Sequence, residues 1–259
     1  MSQLWFTVFG ISFIFLMTTL GSAVVFFFKG EISKKTQAFF LGLASGVMIS
    51  ASVWSLLLPA LDLFRSTFHR FAFLPAVCSV AFGGVFLVLL DVVLRSSLKE
   101  KGETNILTKS FRLFLAVTLH NIPEGLAVGF AFGVASAVND PSALIGAVGL
   151  AFGIGIQNFP EGMAVALPMK SALKSNTKAF LWGAGSGVAE PIFAVLGYIL
   201  AFQLQILQPW LLCASAGAMI YVCAEDLIPD SKLPDTPKIG AWGVLIGFLM
   251  MMALDVGLG

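Results

Sequence analysis

The chain has little charge. Only 11% of its 259 residues are Asp, Glu, Lys or Arg, while 58% are hydrophobic. An ordinary soluble domain carries about 25% charged residues, so this balance excludes one. No polar stretch is long enough to build a separate soluble domain, and no nucleic-acid partner is expected. Cysteine is scarce: Cys78, Cys213 and Cys223 all fall in apolar runs. An odd number without metal-site spacing reads as buried thiols in helices. Histidine is scarcer, with His69 and His120 alone. There is no His-Glu-x-x-His, no second histidine in an apolar run, and no Ser/His or Cys/His pair there. A membrane-embedded metalloenzyme, which needs an open metal position and an activated water, therefore has little support. The N-terminus lacks a basic leader region. Its apolar run, Leu4 to Phe28, is too long for a signal-peptide core and is followed by Lys29, Lys34 and Lys35. It reads as a first membrane helix that is not cleaved.

What the chain has is long apolar runs. Runs of about 20 residues suffice to cross a bilayer as helix. They give eight spans, at 4–28, 37–61, 72–94, 111–136, 142–168, 178–202, 208–228 and 239–257. The linkers are short, and the longest, Arg95 to Lys109, is polar. The expected fold class is all-α and polytopic, with one transmembrane domain over residues 1–259. With the N-terminus outside, thirteen of the fifteen basic residues fall on inner loops or their borders, and only Arg65 and Arg70 lie outside. That asymmetry places both termini outside by the positive-inside rule.

One motif is written twice inside apolar sequence. His120-Asn121-Ile122-Pro123-Glu124-Gly125 in span 4 recurs as Gln157-Asn158-Phe159-Pro160-Glu161-Gly162 in span 5. A carboxylate at mid-membrane depth costs roughly 2.5–3.5 kcal/mol on insertion scales. In a helix, His120 and Glu124 share one face about 6 Å apart along the axis, and Gln157 and Glu161 repeat that geometry. Each proline removes a backbone donor and frees the carbonyl of Leu119 or Ile156, so two kinked helices are expected. Two antiparallel spans can bring together a carboxylate pair, two asparagines, a glutamine and an imidazole. A divalent cation stabilises such a group, and imidazole with carboxylate and amide oxygens suits first-row divalent metals. The competing reading, a structural kink, explains one copy more easily than two. Glu190-Pro191 in span 6 adds a third carboxylate. Three carboxylates leave a net charge near +1 against two divalent ions and −1 against one, and the residues alone do not decide between them.

Weaker signals surround this centre. Ala44-Ser45-Gly46 and Leu57-Leu58-Pro59 align with Ala214-Ser215-Ala216 and Leu227-Ile228-Pro229 at a constant offset of 170 residues. Spans 2 and 7 run in opposite directions, as do spans 4 and 5. This pattern points to an inverted repeat, spans 1–3 matching 6–8 around a central pair, which is a transporter signature. Gly125, Gly129 and Gly133 form a small-residue ridge on span 4. Tight packing is its simpler reading and a sliding face the sharper one. Asp62 and Asp255 lie at outer span ends, and Asp91, Glu225 and Asp226 at inner ends. They read as solvated helix ends or as cation-attracting groups flanking the centre. Met48 in span 2 is a packing residue whose thioether could touch a metal, and His69 is an interfacial residue.

These residues resemble the ZIP (Zrt/Irt-like) family of divalent metal transporters, most closely its prokaryotic GufA-type branch. The resemblance covers the whole chain and rests on the eight spans in a 3+2+3 arrangement, the two Pro-Glu-Gly motifs and Ala189-Glu190-Pro191. It implies that His120, Gln157, Glu124 and Glu161 hold one metal. Asn121, Asn158, Glu190 and the same two glutamates would hold a second, with Met48 facing them. It also implies outer positions at Asp62 and Asp255 and an inner one at Asp91. Many members have histidine where this chain has Gln157, a histidine-rich loop between spans 3 and 4, and His-Glu-x-x-Pro where this chain has Glu225-Asp226-Leu227-Ile228-Pro229. The expectation is a carrier in the bacterial inner membrane that imports Zn²⁺, with Cd²⁺, Fe²⁺ or Mn²⁺ as further cargo. The metal is cargo, and no resident cofactor is expected. Spans 1, 4, 5 and 6 would carry the site past spans 2, 3, 7 and 8. A passive metal channel is the alternative, and a homodimer in the bilayer stays open.

Overall fold

Inside lipid a backbone must satisfy its own polar groups, so each long apolar run becomes helix. The structure, a computed structural model, describes residues 3–30, 32–97, 106–201 and 205–258. All regular elements among them are helical. Helix α1 spans Gln3–Ala23. Helix α2 (Lys34–Ala51), a π turn (Ser52–Leu57) and α3 (Leu58–Phe68) follow one another without a break. Then come α4 (Phe73–Ser97), α5 (Ile106–Val138) and α6 (Pro141–Leu173). Span 6 is divided into α7 (Asn176–Ser186) and α8 (Ala189–Leu200). Helix α9 (Gln208–Val222), a second π turn (Cys223–Leu227) and α10 (Ile228–Ser231) form span 7, and α11 (Pro237–Leu258) forms span 8. Seven of these helical runs are long and apolar enough to cross a membrane, and Phe73–Leu89 is a shorter eighth. The chain is a multi-pass membrane protein. Most of the Arg95 to Lys109 linker lies outside the described residues, as does the side chain of Asp91.

Side-chain caps set several helix starts. Ser33 accepts from the Thr36 amide, Asp140 from Ser142, and Ser175 from Lys178. Pro141, just inside α6, has no amide to leave unpaired. One feature differs from expectation. Span 2 runs past residue 61 to Phe68, because Phe64 is buried and packs edge-on against Trp210 of α9 at 5.2 Å. That packing face outlasts the apolar run that signals the span. Helices α5 and α6 continue as helix through Pro123 and Pro160. The interruption falls in span 6, where Gly187 and Val188 separate α7 from α8.

The repeat is visible in local geometry. The two π turns end at Leu57 and Leu227, the same 170-residue offset, with φ −70° and ψ −46° at both. Each is followed by an apolar residue and a proline. A π turn widens the helix and turns side chains out of register, and such turns favour functional positions. The packing partners also correspond. Helix α1 packs along α6 as α8 does along α5, and α2 packs along α11 as α9 does along α4.

These pairings divide the chain into two groups, α1 with α5–α8 and α2–α4 with α9–α11. They meet chiefly where α2 crosses α6 and α9 crosses α5. Within each group backbones approach closely at glycines. A methyl at Gly129 would strike the Ala194 carbonyl, and one at Gly162 the Thr18 carbonyl. The same holds for Gly46 against Val244 and Gly217 against Val80. Gly125, Gly129 and Gly133 thus seat the α8 backbone, which is the tight-packing reading of that ridge. Among the described residues, no glycine contact of this kind joins one group to the other; Gly153 of α6 meets only the side chains of Ser55 and Asp255.

Candidate metal centre

Continuous α5 and α6 put both motif copies on facing helices, and the break in span 6 brings Glu190, in the first turn of α8, to the same place. His120, Asn121, Glu124, Gln157, Asn158, Glu161 and Glu190 are all fully buried. Ligand atoms of His120, Glu124 and Glu161 lie within 4.8 Å of one another. His120 Nε2 is 3.2 Å from Glu161 Oε2. Gln157 Nε2 donates to Glu124 Oε1 at 2.6 Å and faces the Met219 sulfur of α9 at 3.8 Å.

Glu190 has different surroundings. Its Oε1 accepts from Thr18 Oγ1 at 2.9 Å and from Asn121 Nδ2 at 3.3 Å, and its Oε2 accepts from Asn158 Nδ2 at 2.7 Å. Gly162 and Gly187 make room for Thr18 by letting α6 and the α7–α8 break close on α1.

Buried polar atoms normally find partners, and each one that does not costs about 1–3 kcal/mol or more. Among the described residues, eight of eleven such orphaned side-chain atoms belong to this centre. They are both nitrogens of His120, both oxygens of Glu161, Glu124 Oε2, Gln157 Oε1, Asn121 Oδ1 and Asn158 Oδ1, with His120 Nε2 and Glu161 Oε2 facing one another at 3.2 Å without hydrogen-bond alignment. All but a protonated imidazole nitrogen are electron-pair donors. A cation is the partner that satisfies many acceptors at once. Imidazole nitrogen with carboxylate and amide oxygens is a donor set that Zn²⁺ and its first-row neighbours accept.

The other residues singled out in the sequence sit on α2, α3, α4, α11 and the second π turn. Met48 is fully buried in α2, within the apolar core. Asp62 is exposed on α3 and paired with Arg65 at 2.7 Å. Asp255, on α11, accepts from Ser55 Oγ at 2.8 Å. Both aspartates line a cavity of about 750 Å³ whose walls include Gly149, Gly153 and Ile156, next to Gln157 on α6. Asp91 lies on α4. Glu225 is exposed and Asp226 partly buried, both in the second π turn. A second cavity of about 580 Å³ opens at the opposite ends of the spans, lined by Lys34, Gln37, Ser171, Lys174, Asp230 and Lys232. Sequence reasoning missed Thr18 and Met219. The chain carries other threonines and methionines in apolar runs, and only the packing of α1 and α9 against the centre distinguishes these two.

Comparison with known proteins agrees with this architecture. The profile of the family described as "ZIP Zinc transporter" matches residues 99–255. "Zinc transporter ZIP11" of Xenopus tropicalis is 34% identical over 94% of both chains. The Homo sapiens protein of that name is 32% identical over 96% of both. "Zinc transporter GufA" of Myxococcus xanthus is 34% identical over 88% of this chain and 90% of its own. With the buried His/Glu centre, the eight helical runs and these matches together, the chain belongs to the ZIP zinc transporter family.

Proposed function

We infer that the chain is a carrier, not an enzyme, that brings divalent transition metal, Zn²⁺ foremost, into the cytoplasm. Fe²⁺, Mn²⁺ and Cd²⁺ are secondary cargo. Residues 1–259 act as one transport domain in the bacterial inner membrane with both termini outside. The observation that carries this reading is the concentration of orphaned acceptors on His120, Glu124, Gln157 and Glu161. The zinc transporter names of the relatives support the choice of metal. A first ion is held by those four residues. A second is held by Asn121, Asn158, Glu190 and the two motif glutamates.

Alternating access is elevator-like. Helices α1 and α5–α8 carry the centre as one body past α2–α4 and α9–α11. Support comes from the glycine contacts, which lock backbones together inside each group and not between them. Ties that cross between the groups are made by side chains, such as Ser171 Oγ to Gln37 Oε1 at 3.3 Å and the Gln157–Met219 contact. The cavity with Asp62 and Asp255 is the outer mouth, and the one with Lys34 and Asp230 the inner mouth. The test is uptake of ⁶⁵Zn into proteoliposomes with competing metals. Saturable uptake, inhibited by Cd²⁺ but not by Mg²⁺ or Ca²⁺, is expected. Linear, voltage-steep flux would replace the carrier with a channel.

A further inference from the structure

Glu190 is held by three neutral donors, and each donor has a second acceptor within reach. The Thr18 hydroxyl lies 3.4 Å from the Ile14 carbonyl as well as 2.9 Å from Glu190 Oε1. Asn158 Nδ2 lies 3.3 Å from that same carbonyl. Asn121 Nδ2 lies 3.1 Å from the Ser186 carbonyl. All these groups are buried. A buried donor that gives up its partner normally costs its full desolvation penalty. The two amides use one hydrogen for a carbonyl and the other for Glu190, whereas the single Thr18 hydroxyl hydrogen can turn from Glu190 to the Ile14 carbonyl, so Thr18 can release Glu190 without becoming an orphan.

We propose that Thr18 is a positioning residue that holds Glu190 partly occupied and thereby weakens metal binding at this carboxylate enough for release. This rests on Glu190 being a metal ligand, as read above. Thr18 and Asn121 together engage Oε1, the oxygen nearer the α7–α8 break. A metal ion reaching that oxygen competes with the hydroxyl for its lone pair. When the ion takes Oε1, the hydroxyl turns to Ile14. When the ion leaves, the hydroxyl returns and makes the exit downhill. A carrier needs such a counterweight, because a ligand that binds too well retains its cargo.

The experiment compares Thr18→Val, which has nearly the same shape and no hydroxyl, with Thr18→Ser, which keeps the hydroxyl. Zinc uptake in proteoliposomes gives KM and kcat, and titration of purified protein with zinc gives Kd. Losing one hydrogen bond to a charged group is worth on the order of a tenfold change in an equilibrium constant. Thr18→Val is expected to lower Kd and KM by about that factor and to lower kcat with them. Thr18→Ser restores wild-type values. Thr18→Ala repeats the test should the valine variant fold poorly. A merely structural role would weaken binding or leave it unchanged, and either result overturns the proposal. Glu190→Gln is measured alongside. If it leaves zinc stoichiometry and Kd unchanged, Glu190 is not a ligand and the reading beneath the proposal fails. If it loses an ion while Thr18→Val does not tighten binding, only the role of Thr18 fails.

Discussion

The two halves of the buried centre hold their carboxylates in opposite ways. Around Glu190, neutral donors from α1, α5 and α6 satisfy both oxygens. Around Glu161, no hydroxyl or amide among the described residues donates to either oxygen, and the cation-capable neighbour within reach is the His120 imidazole, whose Nε2 lies 3.2 Å from Oε2. The first arrangement leaves neither carboxylate oxygen without a donor. The second carries a large burial cost that a divalent cation removes. On the proposed reading, the stronger need for metal falls to the His120–Glu124–Gln157–Glu161 group, and Glu190 is the ligand that changes partners.

The largest effect should come from Glu161→Gln, which keeps the shape and removes the charge. Zinc uptake per folded protein should fall by more than about a hundredfold, as expected when a buried ionic contact worth several kcal/mol is lost. Thermal stability without metal should stay level or rise, because an uncompensated buried anion is gone. A kink-forming role alone would leave uptake intact. His120→Ala comes next. In the proposed centre the imidazole serves one ion, so a drop of about tenfold is expected, consistent with losing one ligand among several. Metal competition should shift toward Mn²⁺ as the nitrogen donor disappears. Equal losses in His120→Ala and Glu161→Gln would erase the distinction between a residue serving one ion and a residue serving both.

Glu190→Gln should cost less than either, with one ion fewer per chain by elemental analysis and partial uptake remaining. Asn121→Ala is the mildest, affecting the second ion alone, because the Asn158 amide still holds Glu190 Oε2 at 2.7 Å. An Asn121→Ala loss as large as that of Glu161→Gln would merge the two halves into a single site.

Much of this centre is legible in the sequence because its ligands are costly residues in apolar runs. A glutamate inside a span has few structural reasons to be there, and two copies of one motif have fewer. The spans are legible for the same reason: lipid demands length and hydrophobicity. What lies across the fold is not legible. Thr18 sits in α1 among threonines that bond back to their own helix, as Thr7 does to Gln3 and Thr19 to Phe15. Nothing local shows that Thr18, beyond its own contact with the Ile14 carbonyl, also reaches a carboxylate 172 residues away. The one break inside a span is not marked by a proline motif of this kind: α5 and α6 run as helix through Pro123 and Pro160, while Gly187 and Val188 make the break in span 6. Close neighbours on both sides support α5 and α6, and a membrane helix tolerates proline when its surroundings satisfy the freed carbonyl. The 170-residue repeat is faint as sequence because small residues and leucine are common in membranes, and plain as paired π turns.

The measurement that bears most directly on the centre is zinc bound per chain in purified wild-type and Glu161→Gln protein, by elemental analysis after exchange into metal-free buffer and titration. The account predicts two ions in the wild type and a loss of both, or of all but a weak remnant, in the variant at unchanged helical content. Wild-type zinc content in Glu161→Gln, with wild-type uptake, would contradict it.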